Sequence, residues 1–93
     1  MQYQAPVIQS RLKIVWAEYN LKRAREGKRG VSVREISKAT GLVTSTITGL
    51  TTNRQQQVSF KTIGLLCRFF DVAPGDLFIH TPDEVIDRSE IDP

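Results

Sequence analysis

SVREISKATGLVTSTITGL, residues 32–50, decides the fold of this 93-residue chain. Ser32 precedes Glu35 by three residues, which is the spacing of a capping box, where each side chain satisfies a free backbone amide of the other residue. Gly41 lies where a helix needs a left-handed residue in order to end. The first half of the stretch therefore predicts a short helix over residues 33–40 that stops at a glycine.

A second helical pattern follows the glycine directly. Val43, Ile47 and Leu50 recur at i, i+4 and i+7, which places them on one face of a helix. The threonines around them are poor helix formers and also fit a strand, but the apolar face and the Gly41 stop favour a helix. Burial of Ile47 and Leu50, worth roughly 1.5–3 kcal/mol each, must stabilise it. Two short helices at a tight glycine turn are typical of a helix-turn-helix.

The pattern resembles the helix-turn-helix of the Cro/cI-like (XRE) family of phage-repressor-type transcriptional regulators. Ser37 takes the small-residue position, Gly41 the turn, and Ile47 and Leu50 the apolar positions of the second helix. The segment VSFKTIGLLCRFFDVAPGDLF, residues 58–78, resembles the fourth and fifth helices of the family.

This resemblance covers most of the chain, and it implies an all-α, five-helix, lambda-repressor-like DNA-binding domain. Helices are expected at approximately 7–26, 33–40, 44–51, 60–70 and 75–79, with no strand longer than two or three residues. The first helix is predicted because Ile8, Leu12, Val15 and Tyr19 step by three and four. It is expected to be lengthened relative to the family. Trp16 beside them is expected to pack on the core or on a partner chain rather than to stack on a base.

KRAREGKRG, residues 22–30, is an apparent basic insertion relative to the family, with five basic residues and one acid. Two interpretations stay open. The stretch is either a solvated helix end, where cations suit the negative pole of the helix dipole, or a loop that contacts the DNA backbone.

Composition excludes several classes of protein. No apolar run approaches the roughly 20 residues that span a bilayer, so the chain is expected to be soluble and cytoplasmic, with no membrane partner. A single cysteine and a single histidine cannot form an internal disulfide or a zinc site. No nucleophile lies near a base, so we expect neither catalytic residues nor a metal or cofactor.

The charge of the chain is unevenly distributed. Residues 1–79 hold 12 of the 13 basic residues against five acids, a net charge of +7. The last 14 residues hold five acids and Arg88, a net charge of −4. A basic body favours a polyanionic partner, here double-stranded DNA. The sequence thus predicts a DNA-binding domain over 1–79 and an acidic tail over 80–93, which either solubilises the chain or binds a protein partner.

The family resemblance implies that residues 43–51 form a recognition helix in the major groove of DNA. The residues that it places toward the bases are Thr44, Ser45, Thr46, Thr48 and Gly49. Phosphate contacts are expected from residues that are basic or lie at the start of the second helix: Ser32, Arg34, Lys38, Arg54, Lys61, Lys28 and Arg29.

The base-facing positions depart from the family, which often has Arg or Gln there. Short hydroxyls and Gly49 cannot make the bidentate contacts that discriminate best between bases. Either specificity is modest, or Arg54 and DNA shape supply it. The first hypothesis is a sequence-specific regulator, a repressor that binds as a homodimer. The alternative is a protein-interaction module on a helix-turn-helix fold that has lost base readout.

Overall fold

The computed structural model describes residues 7–55 and 57–81, which form four α-helices and a two-stranded antiparallel sheet. In chain order the elements are β1 (Val7–Ser10), α1 (Leu12–Arg25), α2 (Val33–Thr40), α3 (Thr44–Thr51), α4 (Phe60–Phe70), a 3-10 helix (Pro74–Asp76) and β2 (Phe78–Thr81). Within these residues, no helix is both long and apolar enough to cross a membrane.

The core forms where the four helices meet. Its members are apolar side chains that are at most 5% exposed: Leu12, Val15, Ile36, Ile47, Leu50, Leu66, Phe70 and Leu77. Ile36 from α2 and Ile47 from α3 are fully buried. This shared burial fixes how α2 and α3 cross, and it overrides the weak helix propensity of the α3 threonines.

The ends of α2 follow the prediction. The Ser32 hydroxyl accepts the Glu35 amide at 3.2 Å, and the Ser32 amide donates to the Glu35 carboxylate at 3.0 Å, which completes the capping box. Gly41 ends the helix in the left-handed conformation at φ 79°, and its amide donates to the Ser37 carbonyl. The predicted bounds of the second, third and fourth helices, 33–40, 44–51 and 60–70, are confirmed.

The mostly helical fold is confirmed, but five helices and a first helix over 7–26 are not: the described residues form four α-helices, the first over Leu12–Arg25, and a small sheet. The prediction that no strand exceeds two or three residues is wrong, since both strands have four. Residues 7–10 form β1, which pairs with β2 in the register Val7 to Thr81 through Ser10 to Phe78. The helix expected over 75–79 is only the 3-10 helix. Residues 7–10 and 78–81 form strands because their backbone amides and carbonyls bond to each other, across the chain, rather than within a helix turn. The strand β2 also takes in His80 and Thr81, which the prediction placed in the tail.

Asn53 connects the sheet to the end of α3. Its side-chain Oδ1 accepts the Ser10 amide at 2.7 Å, and its Nδ2 donates to the Ser10 carbonyl at 3.3 Å. The Asn53 backbone has a φ of 59°, a left-handed conformation that asparagine tolerates better than most residues. These bonds hold the start of the loop after α3 against β1.

The basic stretch 22–30 is divided between two elements. Its first four residues are the last turn of α1, and the rest returns along that helix. Asn20 accepts the Val31 amide at 2.8 Å, and Trp16 donates its Nε1 hydrogen to the Val31 carbonyl at 2.9 Å. Trp16 is half-buried against the core, as expected of it.

Candidate nucleic-acid interface

The outer face of α3 carries hydroxyl groups. Because Ile47 and Leu50 point into the core, the helical period turns Ser45, Thr48 and Gly49 away from it. The structure leaves Thr44, Ser45 and Thr48 exposed and Thr46 and Gly49 half-buried. The five residues predicted to face bases therefore lie together on α3, and three of them are exposed.

Not every hydroxyl near this face is free. Thr51 donates to the Ile47 carbonyl at 2.8 Å and Thr52 to the Thr48 carbonyl at 2.9 Å, so both are satisfied by their own helix. In the described part of the chain, the hydroxyls of Thr44, Ser45 and Thr48 bond to no protein group. Each can still donate one hydrogen bond and accept two.

Gly49 is covered by the loop that follows α3. Its carbonyl accepts the amides of Arg54 at 2.9 Å and Gln55 at 3.1 Å. A Cβ atom built on Gly49 would lie 2.8 Å from Gln55 Oε1, which is closer than such atoms pack. Sequence reasoning missed Gln55. The available signal was Gly49 inside a helix, because glycine lets another group approach the backbone closely.

The N-terminus of α2 is exposed and electropositive. The backbone amides of Val33 and Arg34 have no acceptor within the helix, and they lie at its positive end. The Arg34 side chain is exposed beside them. The Glu35 carboxylate would oppose an anion here, but Arg29 pairs with both of its oxygens, at 2.9 and 3.0 Å.

The predicted phosphate-contacting residues fall into two groups. Arg34, Lys38, Arg54 and Lys61 are exposed, and over the residues described none of them forms an ion pair. The other three are engaged within the protein: Lys28 pairs with Glu26 at 3.4 Å, Arg29 with Glu35, and Ser32 caps α2. Within the described residues, the first group supplies exposed positive charge that no acidic side chain pairs with.

Comparison with known families identifies the family of this chain. The model of the Cro/C1-type helix-turn-helix DNA-binding domain matches residues 17–83, well over half of the chain. The chain belongs to this family. No curated protein and no solved structure was found to match it.

Membership assigns DNA binding to this Cro/C1-type domain and implies a role in transcription regulation. The matched residues begin within α1 and include the helix-turn-helix, α4 and β2, whereas β1 lies before them. The family is regulatory rather than enzymatic. Burial raises the pKa of the Cys67 thiol, with Asp76 adding to the effect, which keeps this half-buried cysteine protonated and a poor nucleophile.

The capping box of this Cro/C1-type domain also makes its stability depend on pH. The Ser32 amide and the Arg29 guanidinium both hold the pKa of Glu35 below its ordinary value of 4.5. A carboxylate whose pKa is lower in the folded state stabilises that state above its unfolded pKa. The contribution is lost as the pH falls through the folded value.

We therefore expect Glu35→Gln to be less stable than the parent chain at neutral pH, with the gap closing as the solution is acidified. Chemical denaturation at several values between about pH 7 and about pH 3 measures the free energy of unfolding across this transition. Glu18→Gln, at an exposed carboxylate of α1, is the control for loss of a surface charge. If the parent chain and Glu35→Gln differed in free energy of unfolding by the same amount at every pH, the stabilising interactions of the ionised Glu35 carboxylate would be contradicted.

Proposed function

We propose that this Cro/C1-type domain is a sequence-specific transcriptional regulator, a repressor, that reads the major groove of double-stranded DNA with α3. One observation carries the proposal. The outer face of α3 presents unbonded hydroxyls, and exposed cations stand on the neighbouring elements, Arg34 on α2, Arg54 after α3 and Lys61 on α4.

The cations and the helix ends position the domain. Arg34 lies in the first turn of α2 and Lys61 in the first turn of α4, where free backbone amides and the helix dipole also favour a phosphate. Lys38, in the last turn of α2, and Arg54, after α3, add further exposed charge. Such contacts fix orientation on the duplex and carry no sequence information directly.

Base reading falls to Thr44, Ser45 and Thr48 at the exposed face, with Thr46 at its margin. Their hydroxyls donate to or accept from base edges, and a threonine methyl contacts the thymine methyl. A major groove admits an α-helix, and the eight residues of α3 suit the contact. Each side chain is short, so each discriminates weakly.

The repressor role rests on the resemblance to phage-repressor-type regulators, and a homodimer follows from the usual pairing of half-sites by helix-turn-helix proteins. We also propose that the acidic residues of the tail bind a protein partner. Residues 82–93 lie outside the described part of the chain.

A binding titration tests the proposal. Duplexes selected from a randomised library are titrated by fluorescence anisotropy at about 50 and about 200 mM salt, beside a scrambled duplex of the same composition. We expect tighter binding to the selected duplex and a steep loss of affinity with salt for both. Absence of binding at the lower salt concentration would contradict DNA binding and favour the protein-interaction alternative.

A further inference from the structure

We infer that Gln55, held over Gly49, is a specificity-determining side chain of this domain and that it reads an adenine base. The inference rests on the proposed function, since it concerns the same face of α3. It assigns the strongest base discrimination to the loop after α3 rather than to the helix.

The position of Gln55 is fixed by its contacts with the helix. The backbone amide of Gln55 donates to the Gly49 carbonyl at 3.1 Å. The side-chain Oε1 of Gln55 lies 2.8 Å from the position that a Cβ atom on Gly49 would occupy. The Gln55 Cβ is 3.5 Å from the same point. The side chain therefore crosses the helix surface at the one position of α3 that has no side chain of its own.

The Gln55 amide keeps the groups that adenine requires. Its Nε2 donates to the Gln57 carbonyl at 3.0 Å, which orients the amide but uses only one of its two N–H groups. Within the described residues, no protein group bonds to the other N–H or to Oε1. A glutamine recognises adenine by donating to N7 and accepting from the N6 amino group, so the free donor and acceptor match that edge.

The location agrees with the exposed face of α3. Ser45 and Gly49 are four residues apart, so they are neighbours on one side of the helix. Gly49, which Gln55 covers, is consequently only about 6 Å from Ser45 along the helix axis. The other side chains on this face are the short ones of Ser45 and Thr48. Gln55 supplies the long, bidentate side chain that the sequence of α3 lacks.

The experiment starts from the duplex that the full chain selects from a randomised library. Each base pair of that duplex is then replaced in turn, and affinities are compared by competition for the parent chain, Gln55→Ala and Gly49→Ala. In Gly49→Ala the new Cβ displaces the Gln55 amide, while the helix gains a better helix former. Gln57→Ala is the matched control, because it removes a glutamine side chain from the same loop but keeps the carbonyl that orients Gln55.

We expect Gln55→Ala and Gly49→Ala to lose the same preference for one A·T pair, by about 5- to 150-fold, while affinity for scrambled DNA changes little. Gln57→Ala should keep that preference. Gln55→Glu, which can only accept, should shift the preferred base at that pair toward cytosine. Circular dichroism of each variant establishes that it is folded.

The experiment distinguishes a failure of the role assigned to Gln55 from a failure of the proposed function. If the parent chain selects a duplex and Gln55→Ala keeps every base preference, the role of Gln55 is refuted and the proposed function stands. If the parent chain selects no duplex at all, the proposed function itself fails.

Discussion

Ile47→Ala is expected to lower the free energy of unfolding by about 2–5 kcal/mol, since it empties the junction of α2 and α3. Ile47 is fully buried and lies beside the equally buried Ile36. For a domain of this size each kcal/mol corresponds to roughly 4–8 °C in the melting temperature, so thermal denaturation followed by circular dichroism resolves the change easily.

Val43→Ala is the matched control for this substitution. Val43 also belongs to the apolar pattern of the third helix, but it is 62% exposed at the N-cap of α3. Its truncation should change the free energy of unfolding by no more than about 0.5 kcal/mol. Equal destabilisation by both variants, or an unchanged melting temperature for Ile47→Ala, would contradict the register assigned to α3.

The second large effect concerns the salt dependence of DNA binding. The triple variant Arg34→Ala, Arg54→Ala, Lys61→Ala should weaken binding to all duplexes alike. It should also reduce the slope of log affinity against log salt by roughly 0.9 per lost phosphate contact, about 2.7 in total. Anisotropy titrations at a series of salt concentrations measure the slope for the selected and the scrambled duplex.

A control variant that removes the same charge distinguishes direct phosphate contacts from general electrostatic attraction of the DNA. Lys13, Lys22 and Arg25 are exposed along α1, and replacing all three by alanine removes the same charge from a different surface. We expect this variant to keep nearly the whole salt slope, which would favour a solvated helix end for the basic stretch 22–30. Equal flattening by the two triple variants would contradict the placement of the phosphates at α2, α4 and the loop between α3 and α4.

The helix-turn-helix was predictable because its signals are local. The spacing of Ser32 and Glu35, the left-handed Gly41 and the step from Ile47 to Leu50 each act within one or two helical turns. The structure of the N-terminal segment, residues 7–10, was not predictable. Ile8 and Leu12 fit a helical step, but the segment pairs with residues 78–81 and with Asn53, and such distant partners leave no mark in a local pattern.

The candidate site shows the same division. Exposure of Ser45 and Thr48 follows from the helical period once Ile47 and Leu50 are assigned to the core, whereas Thr44 is exposed at the first position of α3. The pairing of Arg29 with Glu35 depends on how the loop before α2 returns. The position of Gln55 depends in the same way on the closure of the loop after α3. Neither could be predicted from spacing, since both are set by tertiary contacts.

Mapping the bound duplex by NMR tests the central claim most directly. Backbone amide chemical shifts of the full chain are followed while the selected duplex is added. We predict that the largest changes occur in three regions: residues 33–34, 44–48 and the loop with the start of α4, including Arg54, Gln55 and Lys61. Changes confined to α1 and the two strands, with the amides of α3 unaffected, would contradict the assignment of α3 as the DNA-reading element.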